Sequence, residues 1–114
     1  MKMSETKQPN GWDLAVDGMN TAASHADRVV PEWSKQALIH FKMYLLHFGH
    51  QPFMTEDVRT YAENLGMEPP PDRRAWGAIA VQAKKLGWVR SLGYAPQKST
   101  NAHRAPKTLW ERVV

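Results

Sequence analysis

The chain has 114 residues, 42% hydrophobic with five tryptophans, which suits one domain with a modest core and is too short for two. It lacks cysteine and any long apolar run, and its opening MKMSETKQPN has no apolar core. Disulfides, thiolate metal sites, membrane spans and a secretory signal are therefore not expected, and a cytoplasmic setting is. The formal net charge is +4, but residues 1–71 carry six Lys/Arg against nine Asp/Glu, while residues 72–114 carry nine against two.

Residues 1–10 are polar and read as disordered. From Trp12, the apolar positions Ala15, Val16, Met19, Ala22, Ala23 and Ala26 recur at helical spacing, so residues 11–30 read as a helical extension in spite of Gly18. Pro31 followed by Glu32 is a helix start, and PEWSKQALIHFKMYLLHFG is expected to bury Trp33, Ala37, Phe41, Tyr44, Leu45 and Phe48, ending at Gly49. A second apolar strip, Ile39, Met43 and Leu46, lies on another side. It calls for a second covering partner, which is either the N-terminal helix or another subunit.

HQPFMT reads as a short extended connector. Thr55 is the expected N-cap of a third helix with Val58, Tyr61, Ala62 and Leu65 inward, and Gly66 ends it. MEPPP is a stiff loop. Asp72 then caps a helix over 72–86 whose buried side carries Trp76, Ile79, Ala80, Ala83 and Leu86. Its opposite side presents Arg74, Gly77, Ala78, Val81, Lys84 and Lys85, with Arg73 and Gln82 on the flanks. After Gly87, WVRSLGYAP and KTLWERVV suit two antiparallel strands around the polar loop QKSTNAHRAP. Tyr94, Trp76, Trp88 and Trp110 are assigned to the core rather than to base stacking.

The order helix, extended piece, helix, loop, helix, strand, basic loop, strand resembles a winged helix-turn-helix domain over residues 31–114. The segment DRRAWGAIAVQAKKLGWV forms its helix-into-strand junction. A looser likeness is to small DNA-binding proteins of bacteriophage and prophage origin. The resemblance implies a mostly α, α+β fold: a three-helix core with a C-terminal β-hairpin wing, plus the extra N-terminal helix. It implies double-stranded DNA as partner, in a bacterial or phage-infected cell and in a regulatory or accessory role. The 72–86 helix would lie in the major groove and the wing, residues 96–106, on the backbone.

On that reading Arg73 and Arg74 clamp phosphate or bond a guanine edge. The plain alternative is that they are solvated or pair with Asp72, Glu63 or Glu68. Gly77, Ala78 and Val81 allow close approach and contact with a thymine methyl, or else they pack on the N-terminal helix. Gln82, Lys84 and Lys85 are DNA contacts or an ordinary solvated face. In and beside the wing, Lys98, Ser99, Thr100, Asn101, His103, Arg104 and Lys107 suit phosphate and sugar.

His40, His47 and His50 lack the spacing of a zinc site, and no hydrolase or phosphate-loop motif occurs, so neither metal, cofactor nor enzymatic activity is expected. A homodimer is a possible assembly. The competing reading is a winged-helix adaptor or an inhibitor of a host protein, and the +7 balance of residues 72–114 weighs against it.

Overall fold

The computed structural model describes residues 11–95 and 107–114. In chain order it contains α1 (Gly11–Val29), α2 (Trp33–Phe48), α3 (Thr55–Asn64), α4 (Ala75–Lys85), β1 (Val89–Ala95) and β2 (Lys107–Arg112). The architecture is α+β and mostly helical, with one antiparallel hairpin, β1 against β2.

The four helices close around one core in which Ala26, Trp33, Ala37, Phe41, Leu45, Val58, Ala62, Ala75 and Ala83 have no exposed surface. Trp33 and Trp76 meet edge to face with ring centroids 5.4 Å apart, the arrangement that ring quadrupoles favour. The Trp33 indole N–H donates to the Glu68 carbonyl at 3.1 Å, which ties the proline loop to α2. The bulk of the core comes from α2, α3 and α4. Among its described side chains, α1 adds three alanines to the core, Ala22, Ala23 and Ala26, which let its backbone come close.

The α1–α2 corner differs from the sequence expectation. Pro31 does not open α2; residues 31–32 form a turn, with Glu32 in the left-handed region at φ 60°, and the helix starts at Trp33. The cap comes from α1. Asp27 accepts the Ser34 backbone N–H at 2.7 Å and the Ser34 hydroxyl at 2.8 Å. A carboxylate seven residues upstream thus serves the first turn of α2, where negative charge is favoured.

Thr55 is likewise not a cap but the first residue of α3. Asp57 accepts the Met54 N–H at 2.8 Å, leaving the Thr55 hydroxyl to accept the Trp110 indole N–H at 3.1 Å. Gly66 and Gly87 end α3 and α4 with φ of 95° and 80°, where a side chain would be strained.

The extended connector forms a single bridge. Phe53 donates to the Trp110 carbonyl at 3.0 Å, and the Trp110 N–H donates to the Phe53 carbonyl at 2.7 Å. This adds a one-residue third element to the hairpin, whose pairs run from Val89↔Arg112 to Ala95↔Lys107. A bulge between Ser91 and Gly93 bends β1 and increases its twist. β2 is pinned to the body at its other end, where Arg112 Nη1 donates to the Leu45 carbonyl at 2.7 Å, a carbonyl at the end of α2.

Four side chains assigned to the core lie outside it, among them Leu65, which is 56% exposed just past the end of α3. Phe48 is 51% exposed at the last turn of α2, although it stacks on Tyr44 and Tyr61. Leu86 is 50% exposed because α4 ends at Lys85, beyond the elements it packs against. Tyr94 is 72% exposed because the far half of the hairpin projects past the helices. Among the described residues no helix is long and apolar enough to cross a membrane.

Candidate nucleic-acid interface

α4 is shorter than the sequence expectation. Asp72, Arg73 and Arg74 form a tight turn ahead of the helix, with backbone N–H groups of Ala75, Trp76 and Gly77 donating three residues back at 3.0–3.1 Å. Both arginines therefore sit before the first helical residue, not within the first turn.

Asp72 organises that turn twice. Its carboxylate accepts the Arg74 backbone N–H at 2.9 Å, and Arg74 Nε and Nη2 donate to the same carboxylate at 3.0 and 2.7 Å. These bonds hold the Asp72 carboxyl below the usual aspartate range and push the Arg74 guanidinium further up, so the pair is ionised at neutral pH. The turn answers why two cations can stand at a helix start: one has its own counter-ion. Of the five guanidinium N–H groups of Arg74, those on Nη1 and the second on Nη2 remain for another acceptor.

Gly77 is on no open face. A Cβ there would lie 2.7 Å from Met19 Sδ, so the close approach this glycine permits is that of α1. Gly18 serves the other end of the same crossing, where a Cβ would lie 3.2 Å from Arg74 Nη1. α1 thus lies along one side of α4, and Asp17, Gly18, Thr21, Ala22 and His25 face Asp72 and Arg74 across a shallow cavity of about 360 Å³.

Arg74, Ala78, Val81, Gln82 and Lys85 follow one another at i, i+4, i+7, i+8 and i+11 along α4, beside the face that α1 covers; Arg74 Nη1 lies next to Gly18 of α1, and Ala78 packs against the core. Arg74, Gln82 and Lys85 are exposed, and Ala78 and Val81 are half-buried. Arg73 and Lys84 are exposed on the flank. Lys107 is exposed at the start of β2, paired with Ala95. Lys98, Ser99, Thr100, Asn101, His103 and Arg104, with the whole 96–106 wing, lie outside the described residues, as do residues 1–10.

The cations of the C-terminal part divide into two sets. Arg90 is spent on Glu111 across the hairpin, Arg112 on the end of α2, and Arg74 is shared with Asp72. Among the described residues, Arg73, Lys84, Lys85 and Lys107 have no carboxylate partner. Tyr94 is the side chain that sequence reasoning missed: it stands exposed on the hairpin, opposite Thr108 and next to the Ala95–Lys107 pair along the strands. The signal for it was its place on a strand running into a polar loop rather than into more apolar sequence.

The histidines do not gather. His40 lies along its own helix with Nδ1 2.9 Å from the Gln36 carbonyl, and no group of three metal-ligating side chains occurs among the described residues. No protein-family model, curated protein or solved structure matches the chain.

Proposed function

We propose that the chain is a non-enzymatic winged-helix protein that binds double-stranded DNA, in a regulatory or accessory role in bacterial or phage DNA transactions. One observation carries this reading. Among the described residues, the cations of the C-terminal part without a carboxylate partner are Arg73, Lys84 and Lys85, on α4 and its leading turn, and Lys107 on the hairpin. A concentration of unpaired cations attracts a polyanion. The element order supports the reading as well, since the Phe53–Trp110 bridge supplies the short third strand of a winged helix.

In this reading α4 enters the major groove by the strip Arg74, Ala78, Val81, Gln82 and Lys85. Arg73 and Lys84 neutralise phosphates at its flanks, and the hairpin with Lys107, continuing toward Lys98 and Arg104, lies on the backbone. Asp72 acts as a buttress: it holds one edge of the Arg74 guanidinium and leaves the remaining donors for O6 and N7 of a guanine. Fixing that side chain before binding lowers the entropy lost on contact. Ala78 and Val81 suit a thymine methyl, and Gln82 an adenine edge. Gly77 takes no part, since α1 covers it.

The test compares two sets of cations. Replacing Arg73, Lys84 and Lys85 together by Ala should weaken a random-sequence duplex by about tenfold or more, about 1.4 kcal/mol. Replacing Lys35 and Lys42 of α2 by Ala should leave it unchanged. Equal effects from both sets would refute the placement of the surface.

A further inference from the structure

A second surface takes no part in the DNA reading and shares no residue with it. α2 turns Trp33, Ala37, Phe41 and Leu45 into the core, while on its outer side Ile39 is 54% and Leu46 64% exposed. α1 does not cover this strip, because it packs along α4 instead. Leu38, Ile39 and Met43 of α2 and the Trp88 indole bound a groove of about 370 Å³.

The rim of this groove has one sign. Lys42 Nζ stands 4.5 Å from the centroid of the Trp88 ring, a cation–π contact that leaves its three N–H groups free to donate. Lys35 lines the groove about two turns earlier and pairs with Glu32 at 3.4 Å, both side chains largely in solvent, a contact of little strength. From Ser34 to Phe48 the helix carries no carboxylate.

We propose that this groove receives an acidic amphipathic helix of a protein partner. Its apolar residues would lie between α2 and Trp88 and its carboxylates on Lys35 and Lys42. The strip Lys35, Ile39, Lys42, Met43 and Leu46 runs for three turns of α2, a track that matches the i, i+3, i+4, i+7 anchors of a docked helix. A second copy of this chain is the poorer occupant. Packing the strip on its own image about a two-fold axis would gather Lys35 and Lys42 of both copies into one interface, with no carboxylate from Ser34 to Phe48 of either copy to offset them. An acidic helix meets the same surface with opposite charge.

The experiment is a display selection of random peptides of about 16 residues, a length that spans the strip. It is run on the full chain and on two folded variants, Ile39→Asp and the Lys35→Glu/Lys42→Glu double substitution. These positions are exposed or half-buried, so circular dichroism should show native helix content in both. Peptides enriched on the native chain should carry an apolar helical stripe and excess Asp and Glu. Ile39→Asp should weaken their binding at least about tenfold, and the double variant should select basic peptides instead. Enrichment that survives Ile39→Asp, enrichment of neutral or basic peptides on the native chain, or no enrichment at all would overturn the proposal. So would a dimer in sedimentation that Ile39→Asp dissociates, since a second copy would then be the occupant. Duplex binding by Ile39→Asp should equal that of the native chain, so failure here leaves the DNA reading separately tested.

Discussion

Gly77→Ala probes the α1–α4 crossing more sharply than any other single change. In an exposed helix, Ala in place of Gly is stabilising by up to about 1 kcal/mol, and somewhat less this near the N-terminus. Here the added Cβ would lie 2.7 Å from Met19 Sδ, 2.9 Å from its Cγ and 3.1 Å from its Cε, closer than side chains tolerate. Overfilling a packed contact costs about 1–3 kcal/mol. Met19 is half-buried and flexible, so it yields part of that, and the opposed terms leave a net loss of about 1 kcal/mol. In a domain of this size such a loss lowers Tm by roughly 4–8 °C.

The diagnostic is a double-mutant cycle with Met19→Ala, read by urea denaturation. With the methionine side chain removed, the alanine at position 77 meets open space and only the propensity gain remains. Gly77→Ala should then stabilise the Met19→Ala background, a reversal of sign that gives a coupling of about 1–3 kcal/mol. If Gly77→Ala stabilises the native chain by about 1 kcal/mol, and the two changes add, α1 does not lie on that face and Gly77 is open to a ligand.

Four further outcomes follow from the same geometry. Thr55→Val should destabilise by about 1–3 kcal/mol, because the indole N–H of buried Trp110 loses its acceptor. Arg112→Met should cost about 1 kcal/mol by removing one of the two donors to the Leu45 carbonyl, which keeps the Gly49 N–H, and amide exchange should rise at the end of α2. Arg74→Ala should weaken the best DNA site by about 1–3 kcal/mol and flatten base preference at one position, whereas Asp72→Asn should flatten preference with little loss of general affinity. Because Arg74 holds the Asp72 carboxyl below its ordinary value of about 3.9, the pair's contribution is present above that pH. It is lost as pH falls through the lowered value. Acid titrations of the native chain and Asp72→Asn should therefore diverge only at the acid end.

Helix existence and chain order were legible because periodic apolar positions and C-terminal glycines are local signals. Gly66 and Gly87 end their helices where the pattern placed them, and the buried faces of α2 and α4 follow the spacing of Trp33, Ala37, Phe41 and of Trp76, Ile79, Ala83. What was not legible depends on partners distant in sequence. Asp27 caps a helix that Pro31 was expected to open, and Thr55 is diverted from capping by an indole 55 residues away. Phe48, Leu86 and Tyr94 satisfy their local patterns but stand where the core runs out. Gly77 shows most plainly where sequence reading stops. The need for a close approach could be read from a glycine in a helix, but not whether DNA or α1 would supply the neighbour. The Arg74–Asp72 pairing stood among the alternatives that the sequence offered, beside Glu63, Glu68 and solvent, but not the bidentate geometry that fixes it.

The most direct test of the central claim is fluorescence anisotropy of a labelled random-sequence duplex titrated with the full chain at several salt concentrations. About five phosphate contacts, from Arg73, Lys84, Lys85, Lys107 and the basic loop, predict micromolar or tighter binding at low salt. The slope of log affinity against log salt should then be about −4.5. Absence of binding at low salt, or binding that salt does not weaken, would contradict a DNA-binding surface on this chain.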